Sequence, residues 1–286
     1  MPHSRLASPS ATIGVLKRHG LYTRKSLGQH FLIDDNIVGR IIESAAIEPG
    51  EPVLEIGPGI GTLTDALLTA GANVVAVEYD TRLVPVLAEL EAHSGSLSVV
   101  HADAVTVPTN RLVTPAGAVR ALVANLPYAV AATVVLRFLE ELPALERAVV
   151  MVQAEVAERM AADPGSKSYG AYTVKLALRA TAGARFTVPR SCFLPPPRVD
   201  SAVIRLDRAE RGLPVRLLTS AARAADAAFT QRRKTLRNSL AAGLGLAVSE
   251  ASAMLEEAGI DGSLRAENLE VEQYIELGRV LQSRSS

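Results

Sequence analysis

Apolar positions along this chain switch between two spacings, and the switches mark its elements. Val53–Ile56 is a short apolar run that enters a glycine-rich turn, Gly57-Pro58-Gly59-Ile60-Gly61, and Thr62–Leu68 then takes up a helical period. Strand, tight turn and helix in that order make a nucleotide-binding βα unit, in which glycines let bare main chain approach a ligand. Short apolar runs recur at Ala72–Glu78, Leu97–Asp103, Arg120–Ala124, Ala148–Val152 and Ala202–Leu206, with helical patterns over 81–92, 131–141, 154–162 and 171–182. This alternation predicts an α/β fold with a mostly parallel sheet covered on both faces. Ahead of it, Asn36–Ala46 carries Ile37, Val38, Ile41 and Ile42 on one face, with Asp34 or Asp35 as its cap. Beyond Arg208 no strand pattern remains, and Ala- and Leu-rich helices are expected over 215–229, 231–242, 249–258 and 270–282. The expected division is a loose basic tail over 1–23, a catalytic domain over 24–207 and an all-α domain over 208–286.

Composition narrows the class. A chain of 286 residues with one cysteine, Cys192, has no intramolecular disulfide framework and no cysteine-based zinc cluster, which fits a reducing cytoplasm. No apolar run reaches membrane-spanning length, and the acid-free first 33 residues lack the apolar core of a secretory signal. The formal net charge of zero conceals an uneven distribution. Residues 1–40 carry six bases against two acids and residues 198–240 ten against four, while 41–197 and 241–286 are acidic. Two basic blocks on a neutral body suit a polyanion-binding enzyme, although solvated helix faces have the same composition.

The candidate chemistry lies at the ends of the strands. The loop spacing is G-x-G-x-G, with Thr62 where a dinucleotide fold has its third glycine, and Glu78 stands 21 positions after Gly57, where such folds place a carboxylate for ribose hydroxyls. A ribose without a pyrophosphate points to S-adenosylmethionine (SAM). Gly57, Glu78, Asp103 and Asn125 all fall at strand ends and so converge on one crevice, although Asp103 would serve equally as a helix cap. In Asn125-Leu126-Pro127-Tyr128, the Asn125 amide oxygen and the Leu126 carbonyl are acceptors suited to the hydrogens of an exocyclic base amine. Pro127 fixes the turn, and the Tyr128 ring can stack on the base. The stiff Pro195-Pro196-Pro197 run would hold Phe193 as a second platform, so that a flipped base lies between two rings, although Phe193 would serve equally as a core residue covering the sheet edge. On the helix expected over 231–242, Arg233 and Arg237 share a face beside Lys234 and Arg232, a density suited to phosphate contact or to a solvated surface. His30 lies near a helix start with no second His or Cys at ligand spacing, so no metal is expected.

Six stretches together carry a resemblance: Lys25–Leu32, Glu55–Gly59, Asn125–Tyr128, Gln153–Val156, Phe193–Ser201 and Gln231–Leu240. In this order they resemble the KsgA family of ribosomal RNA adenine dimethyltransferases, from about residue 24 to about residue 280. The resemblance implies a class I SAM-dependent methyltransferase with a Rossmann-like sheet and a small helical C-terminal domain. It implies a SAM pocket lined by His30, Leu32, Gly57, Glu78, Asp103 and Asn125, with Glu78 on the ribose hydroxyls and Asp103 on the adenine amine. The implied activity is transfer of two methyl groups to N6 of each of two adjacent adenosines in a hairpin loop near the 3′ end of small-subunit (16S) rRNA, on an immature subunit. A cytoplasmic monomer is expected. Two other readings remain: a resistance-type methyltransferase of large-subunit rRNA, and an assembly factor that binds the small subunit without needing catalysis. The basic tail before residue 20 has no role in the resemblance.

Overall fold

The computed structural model describes residues 2–22 and 29–285. The chain divides into two compact units, one of residues 1–157 and 182–208 and the other of residues 158–181 and 209–286. The second unit therefore takes in 158–181, a stretch expected in the catalytic domain.

The first unit opens with a correction. The segment expected as a loose tail forms helix α1 (Pro9–Arg18), whose N-cap Ser8 accepts a hydrogen bond from the Ala11 N–H and whose first position is a proline. Two-residue strand β1 (Phe31–Leu32) leads to α2 (Asp35–Ala45), capped by Asp34, whose carboxylate accepts from the Asn36 and Ile37 N–H groups. Next come β2 (Pro52–Ile56), α3 (Thr62–Thr69), β3 (Asn73–Glu78), α4 (Val84–Ser94) and β4 (Leu97–His101). A short hairpin, β5 (Val113–Thr114) and β6 (Gly117–Ala118), precedes β7 (Ala121–Asn125), α5 (Ala131–Glu141) and β8 (Arg147–Gln153). Helix α6 (Ala154–Met160) carries the chain into the second unit, where α7 (Ala171–Ala177) lies. The chain returns through β9 (Ala180–Val188), β10 (Phe193–Leu194) and β11 (Ser201–Arg208).

Seven strands form the main sheet in the order β4-β3-β2-β7-β8-β11-β9. β4, β3, β2, β7 and β8 are mutually parallel, and β11 runs antiparallel to β8 with Ser201 opposite Gln153. Val53, Leu54, Val75, Leu122, Val123, Val149 and Val150 are all buried, as expected for parallel strands covered on both faces. The order reverses between β2 and β7: successive strands step outward to β4, and the chain then returns to lie on the other side of β2. Such a reversal opens a crevice beyond the carboxyl ends of those two strands.

β9 replaces the end of the helix expected over 171–182. It lies at the sheet edge with only its end residues buried, so its sequence has no alternation to betray it.

In the second unit, α7 packs with α8 (Val215–Ala228), α9 (Leu236–Leu244), α10 (Val248–Glu257) and α11 (Val271–Ser285). Small residues permit the close approach of α8 and α11: a Cβ on Gly278 would come 2.7 Å from the Ala221 nitrogen. The helix expected over 231–242 begins late. Its leading N–H groups are taken by the neighbouring loop, Leu236 bonding to the Leu264 carbonyl at 2.7 Å and Arg237 to that of Gly262 at 3.2 Å. Residues 229–233 are turn and 234–235 lie outside the helix, so Arg233 and Arg237 do not share a helix face.

Candidate active site

The crevice is a cavity of about 500 Å³ built wholly from the first unit. Its floor is the glycine loop between β2 and α3. Gly57, Gly59 and Gly61 all take left-handed φ values, of 67°, 62° and 87°. At Gly61 a Cβ would stand 2.3 Å from Leu90 Cδ1, so the loop closes on α4 only because that side chain is absent.

Glu78 ends β3 and braces this loop. Its Oε2 accepts the Gly59 N–H at 3.1 Å and its Oε1 the Asp80 N–H at 2.8 Å. Burial pushes the Glu78 carboxyl up, and these N–H groups pull it back. A carboxylate offers about four lone-pair sites, and although the Tyr79 N–H also draws on this one, acceptor capacity remains for a diol. Behind it Glu55 is buried in β2, and burial pushes its carboxyl up to about 8 although the Thr64 hydroxyl donates to Oε2 at 2.6 Å. Asp80 is held below the usual carboxylate range by the Arg82 guanidinium, and it also accepts from Gln29 Nε2 at 2.7 Å.

Asp103 holds a turn, not a helix start, and lines the cavity. Its Oδ1 accepts the Val105 N–H at 2.8 Å, and its exposed side chain stands on the cavity wall.

Asn125 closes β7. Its Nδ2 donates to the His30 carbonyl at 3.3 Å, which leaves Oδ1 as an acceptor with no partner among the described residues. The Leu126 N–H is spent on the Met151 carbonyl at 3.0 Å, while no described donor is bonded to the Leu126 carbonyl. Tyr128 is half-buried and fixed at both ends. Its hydroxyl hydrogen-bonds the buried Ser201 Oγ at 2.7 Å, and its ring stacks on His30 with centroids 6.0 Å apart. Burial pushes the Tyr128 phenol up, so it stays protonated at neutral pH. His30 is held by Nδ1, which donates to the Pro195 carbonyl at 2.7 Å. The proline run thus grips the cavity wall through His30.

His30, Leu32, Gly57, Glu78, Asp103 and Asn125 all line the one cavity, together with Leu126 and Tyr128. Phe193 does not, which corrects the expected second platform. It is 2% exposed, pairs with Leu32 across the β1–β10 ladder and packs in the core with Ile37 and Val38. A large ring next to buried Cys192 gains more by entering that core than by facing water. Lys25–Gly28, the front of the first resembling stretch, lie outside the described residues. Sequence reasoning missed Glu55, Gln29, Asp80 and Ser201. Only Glu55 left a signal, as an acid inside an apolar strand.

In the second unit the four basic residues differ. Arg232 is committed to the fold: Nε meets Glu267 Oε2 at 3.2 Å and Nη2 donates to the Lys167 and Tyr169 carbonyls. Arg233, Lys234 and Arg237 are exposed, and of the three Arg237 lies near an acid, helping to hold the Asp261 carboxyl below the usual range behind the Ser263 hydrogen bonds.

Comparison with known proteins decides the family. Residues 20–283 match the family model of ribosomal RNA adenine dimethylase. The chain belongs to that family. It is 44% identical to the ribosomal RNA small subunit methyltransferase A of Leifsonia xyli, over 97% of this chain and 99% of that one. It is 42% identical to the protein of the same name from Magnetococcus marinus, over 92% and 93%. Among solved structures, a dimethyladenosine transferase of Plasmodium falciparum aligns with a TM-score of 0.74 at 25% identity, over 90% of this chain and 98% of that one. The 23S rRNA methyltransferase ErmE aligns with a TM-score of 0.66 at 30% identity, over 88% and 99%. The fold of this family member is that of the class I SAM-dependent methyltransferases, with a helical C-terminal region. Among the described residues no helix is long and apolar enough to cross a membrane.

Proposed function

We propose that this protein dimethylates N6 of two adjacent adenosines near the 3′ end of small-subunit rRNA, with SAM as methyl donor. The observation that carries the reading is the arrangement of Asn125: its Nδ2 is tied to His30, so its Oδ1 is the free acceptor, in the same cavity as the braced Glu78 carboxylate. SAM, when bound, supplies a methyl already activated on a sulfonium. The residues present suit it: Glu78 has lone pairs left for the ribose hydroxyls, Asp103 Oδ2 remains for the adenine amine, and His30, Leu32 and Gly57 complete the wall.

Asn125 Oδ1 and the Leu126 carbonyl accept the two N6 hydrogens and turn the nitrogen lone pair toward the methyl carbon. The Tyr128 ring, pinned by Ser201 and His30, stacks on the base and keeps it in line. The amine is the nucleophile, the carbon–sulfur bond breaks with its electron pair left on sulfur, and the amine proton leaves to water. No metal takes part in this scheme. Arg233, Lys234 and Arg237 meet phosphates without reading bases. We place the reaction in the cytoplasm on an assembling small subunit, with the protein acting as a monomer.

The test is nucleoside mass spectrometry of small and large subunits, both lacking adenine methylation, after incubation with the protein and SAM. Dimethyladenosine in the small subunit alone is expected. Product in the large subunit alone would transfer the protein to the ErmE-like activity. Tight small-subunit binding without product would make it a binding factor.

A further inference from the structure

The segment before residue 20, for which neither the sequence nor the reaction supplies a role, packs behind the wall of the cavity. Asp65 in the first turn of α3 is 2% exposed and accepts from three groups of that segment. The Arg5 N–H reaches Oδ2 at 2.7 Å, the Arg5 guanidinium reaches Oδ1 at 2.5 Å, and the Ser4 hydroxyl reaches Oδ2 at 3.4 Å. At the first position of α2, the Asp35 carboxylate accepts the His3 and Ser4 N–H groups at 3.0 and 2.8 Å. Residues 3–5 thus bridge the first turns of the two helices that flank β2. The chain then runs through Ser8 into α1, where Val15 and Leu16 pack with Phe31, Ile60, Leu83 and Val86. Phe31 and Leu83 are themselves cavity walls, and Phe31 Cε1 would lie 3.2 Å from a Cβ on Gly59. At its far end His19 Nε2 lies 3.3 Å from Glu89 on α4.

We propose that residues 3–19 are a clasp that holds the cofactor cavity in its binding shape, with Asp65 the positioning residue that anchors it. The proposal rests on reading that cavity as the SAM site. A buried carboxylate that takes a backbone N–H, a guanidinium and a hydroxyl fixes its partners far more firmly than an exposed ion pair does. α1 then backs Phe31 and Leu83, and through Phe31 it limits the freedom of the glycine loop. With the clasp released, the wall samples shapes that do not fit the ligand, and apparent affinity falls by the fraction of time spent in them. The clasp touches neither Asn125 nor Tyr128, so the transfer step itself is unaffected once SAM is bound.

The experiment compares the full-length protein with Arg5→Ala, Arg5→Lys and Asp65→Asn, using calorimetric titration with SAM and steady-state kinetics on unmethylated small subunits. The expected rise in the SAM dissociation constant is about threefold for Arg5→Ala and about tenfold for Asp65→Asn, with Arg5→Lys close to the unaltered protein. KM for SAM should follow, while kcat at saturating SAM and KM for the subunit stay unchanged. Arg5 is mostly exposed, so its variants fold even if Asp65→Asn does not. Unchanged SAM affinity in Arg5→Ala and in a chain lacking residues 2–20, whatever their melting temperatures, would reduce the segment to a structural strap and overturn the proposal. Absence of SAM binding by the unaltered protein would instead overturn the functional reading, and this proposal with it.

Discussion

Asn125 and Glu55 show what single positions contribute. Asn125 has one amide group spent on the fold and one oxygen left over, so Asn125→Ala removes the acceptor and also releases the His30 carbonyl. The expected loss in methyl transfer is on the order of 10²–10³-fold, the usual effect of deleting one preorganised hydrogen-bonding group at a reacting centre. RNA affinity, measured by filter binding, should be nearly unchanged; equal loss of both would assign Asn125 to docking. Glu55 bears on stability. Between its ordinary value of 4.5 and about 8 the folded protein holds a proton that the unfolded chain has released. The contribution is therefore complete below the lower value and is lost as pH rises through the upper one. Glu55→Gln should flatten this slope and be more stable than the unaltered protein at pH 8 by on the order of 4 kcal/mol. Denaturant titrations at pH 5 and pH 8 check this: an equal pH effect in both proteins would mean that Glu55 is ionised within the fold.

Elements were legible where their residues face one environment throughout. Strands β2, β3, β7 and β8 are apolar on both sides, and α2 carries an apolar stripe with Asp34 at its cap, so each can be read from a window of residues. Edge strand β9 offers no such window, because pairing on one side and exposure along most of its length leave the pattern of a loop. Helix α9 is the converse: its sequence is helical from Gln231, yet the 262–264 loop claims the N–H groups of Leu236 and Arg237. That late start separates Arg232 from its neighbours. Arg232→Ala should lower stability by about 1 kcal/mol, since its guanidinium ties two carbonyls and Glu267 at a partly exposed site, and should leave RNA affinity alone. Thermal melting beside RNA titration separates the two effects. A loss of affinity without a loss of melting temperature would return Arg232 to the RNA-contacting set.

For the whole molecule, charge is a matter of placement, because the formal net charge is zero. Any salt dependence of RNA binding must then come from local cations such as Arg233, Lys234 and Arg237. Replacing Arg233 and Arg237 together by Ala should reduce the slope of log affinity against log salt by about two, the number of phosphate contacts removed. An unchanged slope would show those side chains to be plain solvated surface. The sequence alone determined the sheet-and-helix alternation, the glycine loop, the strand-end carboxylates and the Asn125–Tyr128 turn. Each depends on residues within one short window: periodicity, left-handed turns and strand ends are local. Tertiary structure decided what depends on distant partners. Phe193 went into the core because Leu32 pairs with it, Ser201 came under Tyr128 because β11 lies beside β8, and residues 158–181 joined the helical unit. Residues 3–5 found their anchors in Asp35 and Asp65, some thirty and sixty positions away, contacts that no local pattern encodes.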